Sequence, residues 1–297
     1  MIIIINYRDF LTSIYLFVIL ETTINNAKLS TTSIIKKISE KTFLFMELQG
    51  YEKNQIGVCS NMRLKDQVSI VTGGGRGIGR AIALAFAKEG ADVAVIARTQ
   101  SEIESVAQEI NDFGGKAIAI KTDVTDESQV ERMVKTVIDS FGKIDTLVNN
   151  AGYAKHAYIQ DISNDLWDTT MNINLRGIML CTRAVYKYML EQKNGYIINI
   201  SSGAGKHGSS QYATYSTSKF GVIGFTESLS SEGRRHGIKA SVICPGPVAT
   251  KMRASNHPDD DISKLMQPED IADVAVFLVT QPQRAYIQEV VVSAFLF

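Results

Sequence analysis

Cysteine, net charge and long apolar runs are all scarce in this chain. Three cysteines stand among 297 residues: Cys59, Cys181 and Cys244, widely spaced and with no C-x-x-C pair. That leaves no readable disulfide framework and no zinc site, and it suits a reducing compartment. Lysine plus arginine balance aspartate plus glutamate at 31 each, so the formal net charge is zero and no basic surplus points to nucleic acid. No block of like charge marks an interaction tail. The four histidines, His156, His207, His236 and His257, lack metal-ligand spacing and read as surface or pocket-rim residues, so no metal is expected. No apolar stretch reaches the ~20 residues of a membrane-spanning helix. Phe10 to Leu20 has the length of a signal-peptide core, but Asp9 precedes it where positive charge is the rule, and no clear small-residue cleavage site follows.

What is present is an ordinary soluble balance, 45% hydrophobic and 21% charged, enough for one large domain or two small ones. Residues 1–61 mix Ser, Thr, Asn, Lys and Ile with no firm period. They are expected to form an N-terminal extension, either disordered or lying ahead of the native start, since Met62 directly precedes the first organised segment. A membrane anchor or targeting segment is the alternative; without one, the protein is expected in the cytoplasm. From Gln67 the pattern becomes regular. Apolar β-branched runs (QVSIVTG, ADVAVIAR, KAIAIKTD, IDTLVNNAG, GYIINISS, IKASVICPG and a last one near 286–293) alternate with helical spacing. The helices are expected after the glycines of the first turn as far as Gly90, from an N-cap at Thr99 with Glu102 completing a capping box, over 126–141, near 172–192, near 213–236 and near 268–280. Strands that read as continuous apolar runs and alternate with helices imply a parallel sheet covered on both faces. The expected fold is a single α/β domain over 62–297, a doubly wound parallel sheet of Rossmann type, with ligands at the carboxyl ends of the strands. No internal repeat or second domain is visible.

The stretch VTGGGRGIGRAIA sits between the first strand and the first helix. Its residues Gly73, Gly75, Arg76, Gly77, Ile78 and Gly79 form a turn in which backbone can approach a pyrophosphate, with free N–H groups of the helix start aimed at it. A site for NAD usually ends its second strand in an acid that binds the ribose 2′-hydroxyl. Here that position is Ala97, followed by Arg98, and Arg76 lies within reach of the same point. Two guanidiniums and no acid favour a 2′-phosphate, hence NADP(H).

In SSGAGKHGSSQYATYSTSKFG, Ser201 to Gly221, Tyr215 stands four residues before Lys219 and Ser202 a short loop upstream. Residues i and i+4 share a helix face, so the phenol and the amine are expected in one cleft. A phenol with its pKa of about 10 is poorly placed for proton transfer at neutral pH. A neighbouring ammonium stabilises the phenolate and draws that value down. The pair suits carbonyl reduction: Tyr215 protonates the oxygen as hydride reaches the carbon, and Ser202 holds that oxygen by a hydrogen bond. In the reverse direction Tyr215 is the base. Ser201 is the rival to Ser202. Tyr212 is the rival phenol, although its i+4 partner is Ser216.

The spacing Thr72-Gly73-x-x-x-Gly77-x-Gly79, together with the Tyr-x-x-x-Lys pair, resembles the short-chain dehydrogenase/reductase family over residues 62–297. The resemblance implies an adenine contact at Asp123 and Val124. It implies cofactor closure by Asn149 to Gly152 with Asn150 in contact, and a nicotinamide-side segment Pro245 to Thr250 in which Pro245, Val248 and Thr250 take part. Asn174 is implied to hold a water in a proton relay to Lys219, and Lys219 to hydrogen-bond the nicotinamide ribose. The spacings look like those of bacterial 3-oxoacyl-[acyl-carrier-protein] reductases. The segment after Pro245-Gly246 is shorter than in typical members, and the chain ends in RAYIQEVVVSAFLF where the family often has a Gly-rich stretch; both features occur in a short-lid branch.

The implied partners are a small carbonyl substrate or an acyl thioester on acyl-carrier protein, and a second copy of the chain in a dimer or tetramer built on the helices near 172–192 and 213–236. Lys193, Arg234 and Arg235 are candidates to dock an acidic carrier, and His207, Tyr153 and Trp167 are candidates to line the pocket. The rival readings are a reductase of another small ketone, sugar or pterin, a nucleotide-binding sensor without turnover, and a membrane-tethered oxidoreductase.

Overall fold

The computed structural model describes residues 62–295, so the expectations for residues 1–61 lie outside the described residues. Seven strands form one sheet: β1 (Val68–Thr72), β2 (Asp92–Ala97), β3 (Lys116–Lys121), β4 (Thr146–Asn149), β5 (Gly195–Ile200), β6 (Ile238–Pro245) and β7 (Glu289–Val292). Their order is β3-β2-β1-β4-β5-β6-β7, every pair parallel. The order reverses between β1 and β4, which opens a crevice at their carboxyl ends. The doubly wound fold expected from the alternation is therefore the fold observed.

The helices are α1 (Gly77–Lys88), α2 (Gln100–Asp112), α3 (Glu127–Phe141), α4 (Asn164–Met171), α5 (Gly177–Gln192), α6 (Ala213–Gly233), α7 (Lys251–Asn256) and α8 (Pro268–Val279). They divide between the two faces of the sheet. Val71, Val148 and Ile198 point to one face, where Ile82 and Phe86 of α1, Ile103 and Ile110 of α2 and Ile271 of α8 pack. Their strand neighbours Ile70, Leu147 and Ile197 point to the other, against Met133 and Val137 of α3, Leu180 and Met189 of α5 and Leu229 of α6. Alternation along a strand buried on both faces explains why the runs carry no polar period. Burying one such side chain contributes roughly 1.5–3 kcal/mol, so the two cores hold the crevice rigid.

Local structure departs from the sequence expectation at the start of one helix, in the turn that follows it and at the cap of α2. The helix expected to start near 172 begins at Asn164, with the Ser163 hydroxyl accepting the Leu166 N–H at 3.1 Å. Its polar, largely exposed first turns give no apolar period to read. Between α4 and α5 the chain makes a π turn over Asn172–Arg176. The capping box at Thr99 does not form: Thr99 is the N-cap of α2 without a side-chain bond. Glu102 turns away to the Arg76 guanidinium at 3.1 Å, because an opposite charge lies within reach there.

Candidate active site

The turn after β1 is tied down by two side chains. Thr72 is buried, and its hydroxyl accepts the backbone N–H groups of Asn150 at 3.0 Å and Ala151 at 3.1 Å. The Asn150 amide donates back to the carbonyls of Thr72 and Gly73 at 3.0 and 3.2 Å. A side chain at Gly79 would place its Cβ 2.3 Å from the Gly73 carbonyl oxygen, and Gly73 itself sits at a φ of +63°. Only glycine satisfies both positions. Behind them α1 starts with no side-chain cap and no acid in its first turn. Its unpaired N–H groups, around Gly77 and Ile78, make an anion cradle. Gly75 presses on Glu102, whose Cβ lies 2.8 Å from where a glycine Cβ would be. Arg98, just past the end of β2, is exposed, as is Arg76. The residues present fit a dinucleotide: a backbone cradle for the pyrophosphate, and two guanidiniums with a single carboxylate, Glu102, already paired to one of them.

Asp123 and Val124 follow β3. The Asp123 carboxylate accepts the Thr125 N–H and hydroxyl at 3.0 and 2.8 Å. Val124 packs on Gly177, 2.9 Å from that glycine's Cβ position. Pro245 ends β6, Val248 is buried at the base of the next segment, and the Thr250 methyl lies 3.3 Å from the Cβ position of Gly77. The glycine turn and the segment after β6 thus meet across the crevice.

Ser202, Tyr215 and Lys219 come together at the carboxyl end of β5. Lys219 is 4% exposed and donates from Nζ to the Ile200 carbonyl at 2.8 Å. The same Nζ lies 5.6 Å from the centre of the Tyr215 ring. Ser201 is buried and donates to the Lys219 carbonyl at 2.9 Å, whereas Ser202 is half-buried and its hydroxyl lies beside the Tyr215 phenol. The two serines therefore differ in what they face, and Ser202 faces the phenol. Tyr212, the rival phenol, hydrogen-bonds His257.

Asn174 lies in the π turn and is fully buried. Its amide accepts the Tyr153 N–H at 2.7 Å and donates to the Tyr153 carbonyl at 2.9 Å and to the Ser218 hydroxyl at 3.0 Å. Ser218 in turn donates to the Tyr215 carbonyl at 2.7 Å. At Gly152 the loop after β4 comes within 3.6 Å of the Asn174 Oδ1 and 3.9 Å of the Lys219 Nζ, measured from the Cβ position. Ser218 was not foreseen: one serine among many in the helix gives no signal until its partner is known.

The electrostatics depart from the sequence expectation. Burial pushes the Lys219 ammonium down to about 8. Burial also raises the Tyr215 phenol above its ordinary value, while the nearby Ser202 hydroxyl pulls it down and Tyr212 pushes it up. Loss of water around the phenolate is the largest of these effects, so the phenol is held in its acid form.

Of the pocket candidates, Tyr153 is half-buried with its backbone held by Asn174, while His207 and Trp167 are exposed. The docking candidates are misplaced. Lys193 precedes β5, and Arg234 and Arg235 precede β6, so all three lie at the amino ends of parallel strands, opposite the crevice. Arg234 instead stacks on the Tyr286 ring at 5.2 Å. Among the described residues no helix is long and apolar enough to cross a membrane, and no cluster of His, Cys, Asp or Glu is suited to a metal.

Residues 67–261 match the model of the short chain dehydrogenase family. A 3-oxoacyl-[acyl-carrier-protein] reductase of Synechocystis is 40% identical over 230 residues, which are 75% of this chain and 93% of that one. The (2S)-[(R)-hydroxy(phenyl)methyl]succinyl-CoA dehydrogenase subunit BbsD of Thauera aromatica is 36% identical, over 73% of this chain and 90% of that one. A crystal structure of a metagenomic short-chain oxidoreductase in complex with NADP superimposes with a TM-score of 0.70 at 33% identity, covering 79% of this chain and all of that one.

Proposed function

The chain belongs to the short-chain dehydrogenase family of oxidoreductases, and from that premise we propose that it reduces the 3-oxo carbonyl of an acyl thioester to an alcohol with NADPH, leaving the thioester intact. The observation that carries the reading is the meeting of a buried amine, a phenol and a hydroxyl beside a glycine cradle that fits a dinucleotide. Two relatives support the substrate class, since one is named for an acyl-carrier-protein thioester and the other for a coenzyme A thioester. NADPH over NADH is supported by Arg76 and Arg98, by the absence of an acid at Ala97, and by the NADP held in the similar crystal structure.

Held on the turn from Gly73 to Gly79, the nicotinamide cofactor would supply the hydride that reduces the carbonyl carbon. As negative charge gathers on the carbonyl oxygen, the Ser202 hydroxyl donates a hydrogen bond to it. Tyr215, kept protonated by burial, gives that oxygen its proton. The phenolate left behind lies close to the Lys219 ammonium, which favours the charged form at that moment. Asn174 and Ser218 hold the backbone around Tyr153 and Tyr215, fixing the geometry in which the transfer happens. A phenol raised in pKa favours reduction over oxidation at neutral pH, because oxidation needs the phenolate.

The test is NADPH oxidation with a range of carbonyl compounds, including a 3-oxoacyl thioester, beside the same range with NADH. Turnover is expected to be fastest with the thioester and NADPH. Tyr215→Phe is expected to lower kcat by about 10²–10⁴-fold, the usual contribution of a positioned proton donor. Near-native turnover in Tyr215→Phe would overturn the mechanism, and preference for a simple ketone would overturn the substrate class.

A further inference from the structure

Three loops leave the carboxyl ends of β4, β5 and β6, and one cluster of rings joins them. The third loop is a lid: Val248 and Met266 form a parallel bridge at its base, with Ala249 N–H donating to the Met266 carbonyl at 2.8 Å. Between those ends lie α7 and His257, with an ion pair of Arg253 and Asp260 at 2.5 Å inside the lid. His257 hydrogen-bonds the Tyr212 hydroxyl, and the two rings stack at 18° with centroids 6.1 Å apart. His156, from the loop after β4, sits 4.1 Å from the Tyr212 ring and 4.9 Å from the His257 ring. Asn256 donates to the Ala154 carbonyl at 3.3 Å beside it, and Ala157 N–H to the Gln211 carbonyl at 3.1 Å. Tyr212 is the N-cap of α6, three residues ahead of Tyr215, and the two tyrosine rings meet edge to face at 6.2 Å. Burial is the main cause holding both imidazoles below their ordinary pKa.

We propose that Tyr212 and His257 are positioning residues that tie the lid to the first turn of α6, so that seating the lid and setting the Tyr215 phenol are one event. The tie itself stands apart from the assigned reaction; only its effect on turnover rests on the reading as a carbonyl reductase. A neutral His257 imidazole accepts a hydrogen bond from the Tyr212 hydroxyl, and His156 braces the pair from the side. The lid is pinned at its base and held at its far end by this contact and by Asn256. A lid freed at the far end can swing on the base, and the Tyr212 ring, released from His257, no longer fixes the edge it presents to Tyr215.

The test uses the full chain in hydrogen exchange, comparing residues 249–266 in the wild type with Tyr212→Phe, His257→Ala, the double variant and His257→Gln. Tyr212→Phe and His257→Ala are each expected to speed exchange in the lid, and the double variant no further than either, since groups that share one contact do not add. His257→Gln, whose amide oxygen can accept the same proton, is expected to restore slow exchange. With a carbonyl substrate and NADPH, the single variants are expected to raise KM and lower kcat together, with kcat/KM down about tenfold, the scale for one lost hydrogen bond. Unchanged lid exchange in Tyr212→Phe, or fully additive effects in the double variant, would overturn the proposal. If no carbonyl is reduced by the wild type, the assigned reaction falls, while the exchange data still decide whether the tie exists.

Discussion

Lys219 carries a cost that its chemistry requires. An ordinary lysine titrates near 10.5, and this one is lowered to about 8 by burial. Below pH 8 it is charged in both folded and unfolded chains, and the folded state bears the full penalty. Between 8 and 10.5 the unfolded chain binds more protons, so stability rises with pH and the penalty is gone above 10.5. The difference amounts to about 3 kcal/mol, against about 1–2 kcal/mol for the hydrogen bond to the Ile200 carbonyl. Lys219→Met is therefore expected to be inactive yet a few degrees more stable at pH 7 by calorimetry, an advantage that shrinks towards pH 10. A variant less stable than the wild type at pH 7 would show that the hydrogen bond dominates. The same titration predicts that kcat/KM for reduction falls as pH rises through about 8, when the ammonium is lost; a profile flat to pH 10 would contradict it. At the other end of the crevice, Arg98→Ala is expected to raise KM for NADPH about 10–100-fold, the range for hydrogen bonds to a charged group, and to leave KM for NADH unchanged. Equal effects on both cofactors would remove Arg98 from the 2′-phosphate.

Elements differed in how openly the sequence announced them. Strands β1 to β6 were readable because their buried middles are runs of Val, Ile, Leu and Ala, and a glycine lies close to one end or the other of each run. Helix α4 was not, since SNDLWDTT has little to bury. The π turn at Asn174 was invisible: its cause is a buried amide recruited by the Tyr153 backbone, a partner 21 residues away. Thr99 and Glu102 carried a valid local signal that lost to a longer-range charge, Arg76. The glycine turn was legible as a motif, but its tightness is a matter of geometry. Gly79→Ala brings a Cβ against backbone that cannot yield, so a loss of about 1–3 kcal/mol is expected, with cofactor affinity lost alongside, as calorimetric titration with NADPH would measure. Unaltered affinity would mean that the turn is looser than its contacts imply.

At the scale of the whole molecule, the sequence told which residues share the crevice where a motif spans a single loop, and failed where the site is sewn from several. Tyr215 and Lys219 were readable because one helix turn separates them. His156, Tyr212 and His257 come from three loops, and no periodicity links them. Assembly belongs to this scale too. Phe220 is 48% exposed on α6 and Trp167 40% on α4. A homo-oligomer covering these helices is expected by light scattering, and Phe220→Glu is expected to lower the measured mass while altering monomer stability little. An unchanged mass would exclude α6 as the contact.

The place of β7 has a consequence for how the protein is made. β7 is added to β6 from later in the chain, and the N–H of Gly246, the residue after β6, is satisfied by the Val292 carbonyl at 2.7 Å. A ribosome delivers β6 before that carbonyl emerges, since Val292 lies 46 residues after Gly246. Throughout that interval the nascent chain carries an open, apolar sheet edge next to a half-built crevice, and it is then that a chaperone has most to protect.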